Sequence, residues 1–283
     1  MSISAQLGGA QIQHVGDAKI AYRECGRGRP LVFVHGILVN GDLWRDVVPS
    51  LAGDYRCIAP DWPLGSHADA MPRSADMRPP AVARLVSSFI TSLQLRDVVL
   101  IGSDTGGAIV QLIVAQNPAW LGAVVLTNCD AYENFFPPAI RALTYLARVP
   151  GFVDALAFVL RARLARRALC ATVAHRTPSP EILASYFSSI CADPGVRRDV
   201  RNALASVAPR YTLEAAKAFA SFEKPVGIAW GEDDPLFFPM RFAERLERAF
   251  PRATLLRIAR SRTLVPEDRP QELAAFISSV ARA

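Results

Sequence analysis

The strongest constraint on the fold is a regular alternation of short apolar strands with helical patterns in the first 130 residues. The strand patterns cover residues 19–24, 30–35, 55–60, 97–102 and 122–127. The helical patterns between them cover residues 42–51, 81–93 and 106–115. Because a helix between two strands returns the chain to the same end of a sheet, this alternation predicts a mostly parallel sheet flanked by helices.

The alternation stops after the strand pattern over 122–127. From Asp130 to about Glu223 only helical periodicity with proline and glycine punctuation remains, and strand patterns return over 225–230 and 253–258 before a last helix over 266–281. This order predicts one α/β domain formed by two separate parts of the chain, with a helical cap inserted between them. The predicted boundaries are 1–130 and 224–283 for the α/β core, and 131–223 for the cap.

Composition excludes several classes of protein. With 51% hydrophobic and 20% charged residues in 283, the chain can bury a large core and is not a disordered or repetitive polymer. The start of the sequence lacks the basic and apolar regions of a signal peptide, and no apolar run is long enough to span a bilayer. We therefore expect a cytoplasmic protein with no membrane partner.

Charge and cysteine content give no sign of nucleic acid or metal binding. The net charge of +6 comes from arginines spread along the chain, without any known nucleic-acid-binding motif. The five cysteines are scattered and never form a CxxC pair or a cysteine and histidine cluster. There is also no phosphate-cradling GxxxxGK. We expect no cofactor, no metal and no nucleic-acid partner, and reduced cysteines.

The segment GSDTGG, Gly102–Gly107, lies where a buried strand turns into a helix. A sharp turn that presents a nucleophile crowds the positions two before and two after its apex, which must be small. Centred on Asp104, both positions are glycine, whereas centred on Ser103 they would be Ile101 and Thr105. The pattern predicts Asp104 at the apex; the alternative is an ordinary helix start with Asp104 as its N-cap.

Further motifs follow one another in an order typical of a single enzyme superfamily. They are LVFVHG, WR, APD and WGEDDP, at 31–36, 44–45, 59–61 and 230–235. With the GxDxGG turn and the helical insertion, the chain resembles the α/β-hydrolase superfamily from Ile20 to its end. An aspartate at the apex resembles the branch of haloalkane dehalogenases and epoxide hydrolases, in which this carboxylate attacks carbon and forms an ester. That resemblance implies an oxyanion hole formed by the backbone N–H groups of Ile37 and Thr105.

The resemblance also implies an acidic partner for the nucleophile. Asp234 occupies the superfamily position after the strand over 225–230, but some dehalogenases carry this acid after the sixth strand, where the present chain has Asp130. Ile37 and Thr105 replace the asparagine and tryptophan that commonly bind halide in dehalogenases. The resemblance therefore leaves two candidate acids and weakens the dehalogenase alternative.

The catalytic histidine of the superfamily is missing from its usual place. Alignment through the motif VPEDRP puts Thr263 at that position, and a threonine cannot accept a proton near neutral pH. Loss of a general base costs about 10² to 10⁴ in rate, so an ester on Asp104 would persist. Without an imidazole between Asp104 and Asp234, one carboxyl should have a raised pKa. His67 and His175 are the other histidines that could face the site.

These features support three hypotheses of function. The first is a hydrolase-like enzyme that uses Asp104 and Asp234 on a small, largely apolar substrate beneath the cap. The second is a non-hydrolytic acid/base catalyst, a lyase, isomerase or cyclase, that uses the paired carboxyls without a covalent step. The third is a catalytically silent ligand-binding protein. In each case the expected partner is a small molecule, and the oligomeric state is left open.

Overall fold

The computed structural model describes residues 1–283 and contains one eight-stranded sheet. The strands are β1 (Gly9–Val15), β2 (Ala18–Cys25), β3 (Arg29–Val34), β4 (Tyr55–Pro60), β5 (Val98–Asp104), β6 (Leu121–Cys129), β7 (Val226–Gly231) and β8 (Ala253–Ile258). Their order across the sheet is β1-β2-β4-β3-β5-β6-β7-β8. The β1–β2 and β2–β4 pairs are antiparallel and all other pairs are parallel, which confirms the predicted mostly parallel sheet.

The central strands are buried on both faces, as near-continuous apolar runs require. In β5, Val99 and Ile101 belong to one hydrophobic cluster, while Val98 and Leu100 on the opposite face belong to another. This alternation follows from the two-residue period of a strand. The sheet therefore separates two cores, each covered by helices, and the carboxyl end of β5 is held rigidly between its neighbours.

Eleven α-helices surround the sheet or form the insertion. They are α1 (Pro79–Ser92), α2 (Thr105–Val114), α3 (Ala142–Leu146), α4 (Phe152–Val159), α5 (Arg163–Val173), α6 (Pro180–Ala192), α7 (Pro194–Ser206), α8 (Pro209–Ala216), α9 (Met240–Ala249), α10 (Val265–Asp268) and α11 (Pro270–Arg282). No helix has both the length and the apolar character needed to cross a bilayer.

Two helix predictions were wrong in detail. The segment 42–51 forms two short 3-10 turns, because Pro49 interrupts it and Asn40 accepts a hydrogen bond from the Asp42 N–H at 3.0 Å, which favours a tight turn. The helix expected over 266–281 is divided into α10 and α11 at Pro270, which lacks an N–H group and cannot continue the first helix.

The chain between β6 and β7 contains only helices, α3 to α8, apart from an isolated bridge between Ala131 and Asn134. Its last helix does not lie apart from the sheet, because Ala215 of α8 and the following Phe219 share a hydrophobic cluster with Ile109 of α2. The cap boundaries at 131 and 223 remain a prediction, and α8 contributes to the packing of the α/β core.

A hydrogen bond joins the insertion to a buried ion pair of the sheet domain. The Arg45 guanidinium donates from Nη1 to Oε1 of Glu267 at 2.7 Å and from Nη2 to Oε2 at 2.6 Å. Tyr186 of α6 donates its hydroxyl to the same Oε1 at 2.7 Å. The side chains of Arg45 and Glu267 are 10% and 1% exposed, so the pair fixes α6 against the α/β core in a region of low dielectric constant.

Replacing Glu267 by Gln is expected to lower the free energy of unfolding by about 3–5 kcal/mol, because the Arg45 charge remains buried without a carboxylate. Urea denaturation followed by circular dichroism measures the change. The matched control is Glu214→Gln, which removes an exposed ion pair with Lys217 and should cost less than about 1 kcal/mol. Equal losses in the two variants would contradict the structural role of the buried pair.

Candidate active site

Asp104 lies at the apex of the turn between β5 and α2. Its backbone has φ 54° and ψ −130°, a conformation that side chains rarely adopt, and its side chain makes no capping hydrogen bond to α2. Asp104 is therefore not an ordinary N-cap of α2. The strained backbone instead matches the sharp turn that the flanking glycines predict.

The glycines around the turn are required by close contacts. A Cβ atom at Gly102 would lie 2.7 Å from Cα of Gly107, and one at Gly106 would collide with the carbonyl oxygen of Val34. A Cβ atom at Gly36 would overlap the carboxylate of Asp104. The HG turn after β3 and the elbow after β5 therefore approach each other closely enough for backbone atoms to reach the Asp104 side chain.

The predicted oxyanion donors lie at the Asp104 carboxylate. The backbone N–H of Ile37 donates to Oδ2 of Asp104 at 3.1 Å. The N–H of Thr105 also faces this carboxylate and lowers its pKa. These two donors hold the side chain of Asp104 in place.

The two candidate acids have different surroundings. Asp234 is buried and accepts hydrogen bonds from the Phe237 N–H at 3.1 Å and from Oγ1 of Thr263 at 2.5 Å. Asp130 is fully buried; its Oδ2 accepts from Oγ1 of Thr105 at 3.2 Å, and its Oδ1 has no partner. Thr263, which stands at the histidine position, thus contacts Asp234, while Asp130 lies behind the elbow.

The carboxyls of this region have raised pKa values. Burial raises the pKa of Asp104 to about 6, the N–H groups of Thr105 and Ile37 oppose the change, and the charge of Asp234 adds to it. Burial also raises the pKa of Asp130, to which the charge of Asp104 contributes. The pKa of Asp234 is raised by burial against the effect of its hydrogen bond from Thr263. Because of these raised pKa values, the three carboxyls together tend to retain a proton near neutral pH.

Asp104→Asn is expected to stabilise the fold increasingly as pH rises. The pKa of Asp104 is higher in the folded state, about 6, than its ordinary value of 3.8, so unfolding releases protons between these values and stability falls as pH rises through about 6. The amide of the Asn variant cannot ionise, so the variant does not lose stability in this way as pH rises. Because Asp104 is partly exposed, we expect the advantage to grow by only about 1–2 kcal/mol between pH 4.5 and pH 7.5.

Urea denaturation of both proteins at the two pH values measures this difference. Asp233→Asn, at an exposed carboxyl that pairs with His175, is measured alongside as a control for the loss of a carboxylate near the site. An Asp104→Asn advantage independent of pH would contradict the raised pKa.

None of the histidines forms a hydrogen bond with Asp104. Nε2 of His67 lies 3.2 Å from Oδ2 of Asp199, and Nε2 of His175 lies 2.9 Å from Oδ2 of the exposed Asp233. His35 is buried, its Nε2 accepts from the Trp62 N–H at 2.8 Å, and burial lowers its pKa to about 4. His67 is therefore paired with Asp199 of α7 and not with Asp104.

A small apolar cavity adjoins the two predicted oxyanion donors. Its wall includes Ile37, Thr105, Phe135, Phe136 and Val207, and it has room for at most about one water molecule. A substrate larger than water can enter only if these side chains or the insertion move. Two other phenylalanines of the insertion lie elsewhere, with Phe187 in the core and Phe158 70% exposed.

Comparison with known proteins agrees with this fold. A family model described as the alpha/beta hydrolase fold matches residues 29–270. The chain belongs to the α/β-hydrolase family. Haloalkane dehalogenase 2 of Mycobacterium bovis is 28% identical to this hydrolase over 265 residues, covering 92% of the chain and 90% of that protein. An uncharacterized hydrolase of Bacillus subtilis is 26% identical over 261 residues, covering 91% of each.

Solved structures give the same fold. Haloalkane dehalogenase DbeA of Bradyrhizobium elkani superposes with a TM-score of 0.78 at 20% identity, covering 97% of this hydrolase and 99% of that chain. Epoxide hydrolase CorEH superposes with a TM-score of 0.80 at 20% identity, covering 96% and 99%. The α/β-hydrolase enzyme is thus related in sequence to haloalkane dehalogenases and shares its fold with both enzyme classes.

One residue that positions the site was missed in the sequence. Asn128, near the end of β6, accepts a hydrogen bond from the Gly231 N–H at 2.6 Å and donates to the Gly231 carbonyl oxygen at 3.1 Å. These bonds hold the end of β7, from which Asp234 follows. A polar residue at the carboxyl end of an otherwise apolar strand was the available signal.

Proposed function

We propose that this enzyme is hydrolase-like and that Asp104 reacts with a small apolar substrate in the cavity beneath the insertion, with Asp234 as its acidic partner. The observation that carries the proposal is the Asp104 carboxylate at the elbow apex, 3.1 Å from the Ile37 N–H. The sequence relationship to proteins named haloalkane dehalogenase supports the same chemistry. The apolar wall of the cavity supports an apolar substrate.

The proposed first step is attack by one Asp104 oxygen on an electrophilic carbon of the substrate. The new C–O bond forms as the bond to the leaving group breaks, and the leaving group keeps the electron pair. The product is an ester on Asp104 whose carbonyl oxygen lies within reach of the Ile37 and Thr105 N–H groups. These donors would then stabilise the oxyanion that forms when water attacks that carbonyl carbon.

The second step is expected to be slow. The attacking water must lose a proton, and Thr263 rather than an imidazole stands beside Asp234. An absent general base costs about 10² to 10⁴ in rate. We therefore propose that the ester accumulates and that its hydrolysis limits turnover.

A specific observation favours a second function, acid/base catalysis without a covalent step. With a pKa of about 6, Asp104 is partly protonated near neutral pH and can exchange a proton with a bound substrate. Such a group can serve an elimination, isomerisation or ring closure. Here the apolar cavity would orient the substrate, and the Asp104 carboxyl would move the proton.

Denaturing mass spectrometry after exposure to a primary haloalkane and, separately, to a terminal epoxide tests the proposal. The expected result is a mass increase that maps to Asp104 and is absent from Asp104→Asn. Turnover without an adduct would favour the acid/base function. Saturable binding without adduct or turnover would favour the silent ligand-binding alternative and contradict both catalytic proposals.

A further inference from the structure

The junction of α4 and α5 exposes an unusual number of large apolar side chains. Phe158 is 70% exposed, Val159 54% and Leu164 80%. We refer to residues 158–167 as the cap tip. Phe158 and Val159 end α4, and Leu164 lies in the first turn of α5, so all three side chains flank the same short connection. A contiguous exposed apolar patch on a protein surface commonly marks an interaction site.

The helix that follows the turn is weakly covered by the protein. Of the eleven residues of α5, only Cys170 is buried. Leu164, Ala168 and Ala171 are all exposed and follow the three- and four-residue spacing that places side chains on one face of a helix. Arg163 and Arg167 are exposed on the edge of that face. The outer surface of α5 is therefore amphipathic, yet it has no partner within the chain.

The charge of the cap tip has a single sign. It carries Arg161, Arg163, Arg166 and Arg167, and the sequence from residue 155 to residue 180 contains no aspartate or glutamate. The Arg161 guanidinium lies 6.0 Å from the centre of the Phe158 ring, so cationic and apolar groups occupy the same patch. A second copy of the chain would bring like charges together at this patch, whereas an anionic surface would be attracted to it.

We propose that the cap tip docks this enzyme on the surface of a membrane that contains anionic lipid. Phe158, Val159 and Leu164 would enter the boundary between headgroups and acyl chains, and the arginines would lie among the lipid phosphates. Three exposed apolar side chains favour a bilayer over nucleic acid, which offers no apolar interior. The proposal departs from the expectation of no membrane partner and does not depend on the reaction at Asp104.

Co-sedimentation with vesicles tests the proposal. The wild type is expected to bind vesicles of phosphatidylcholine mixed with phosphatidylglycerol, to bind phosphatidylcholine alone much more weakly, and to lose binding as salt is added. Reversal of two exposed charges, Arg163→Glu with Arg167→Glu, should lower the partition coefficient roughly 30-fold or more. Phe158→Ser with Leu164→Ser should lower it roughly 10-fold or more.

Matched variants separate a local site from general charge. Arg27→Glu with Arg73→Glu changes the net charge equally at exposed positions outside the cap, and Ile12→Ser with Leu236→Ser removes comparable exposed apolar surface. These controls should retain at least about a third of wild-type partitioning. All substituted side chains are exposed, and circular dichroism melting curves check that each variant folds.

Several results would overturn the proposal. The first is wild-type protein that fails to sediment with the anionic vesicles. The second is an equal loss of binding in the control variants. The third is a wild-type dimer that the cap-tip variants convert to a monomer without any vesicle binding, which would identify the patch as an interface between copies. Binding to duplex DNA in place of vesicles would likewise overturn it.

Discussion

Asp104→Asn is expected to lower kcat by about 10³-fold or more for every substrate found in the proposed panel. The amide keeps the size and shape of the carboxyl and can still accept a hydrogen bond from the Ile37 N–H, so the elbow should be preserved. What it loses is the negative charge that attacks carbon and the proton that a carboxyl exchanges. Both catalytic hypotheses therefore predict the same large loss.

Steady-state kinetics with the purified variant measures this effect. Asp233→Asn is a suitable control, because Asp233 is exposed, pairs with His175 and adjoins the candidate acid in sequence. It should retain activity within a few-fold of wild type. If Asp104→Asn kept more than about a tenth of wild-type kcat, another group would have to carry the reaction.

Thr263→His is expected to speed hydrolysis of the ester on Asp104 by about 10² to 10⁴. Thr263 already lies at 2.5 Å from Oδ2 of Asp234, so an imidazole at this position would have a carboxylate to orient it and to stabilise its protonated form. Its other nitrogen could then take the proton of the attacking water. The variant would convert a persistent ester into a turnover intermediate.

The decay of the adduct, followed by mass spectrometry after removal of excess substrate, measures this rate. Thr263→Gln introduces a side chain of similar length that cannot act as a base, and it controls for changes in packing. The explanation based on a missing base would be refuted if Thr263→His and Thr263→Gln released the adduct at the same rate. Near-wild-type melting curves for both variants would show that the site tolerates the larger side chain.

The arrangement around Asp104 gives these predictions a common physical basis. Two backbone N–H groups lower the free energy of the charged carboxylate, while burial and the charge of Asp234 raise it. The balance leaves Asp104 with a pKa of about 6, near the pH at which both its nucleophilic and its acidic forms are populated. Small changes to the groups around Asp104 can therefore alter whether nucleophilic attack or proton transfer dominates.

Local patterns in the sequence were sufficient for the mostly parallel sheet. They also marked the turn at Asp104 and the helical segment between β6 and β7, whose role and boundaries stay predictions. A buried parallel strand such as β5 requires a continuous apolar run, and a sharp turn at Asp104 requires glycine at Gly102 and Gly106. These demands act on neighbouring residues, so they are visible without coordinates. The same reasoning failed for 42–51, where a proline and side-chain hydrogen bonds outweighed helical periodicity.

The partners of the polar side chains were decided by tertiary structure. His67 is bonded to Asp199, 132 residues away, and Arg45 is bonded to Glu267, 222 residues away. No spacing rule relates such positions, because each pairing depends on how distant elements pack and on which buried charge must be neutralised. The small cavity beside Ile37 and the exposed apolar cap tip arise in the same way, since helical periodicity marks apolar residues without showing which of them the fold covers.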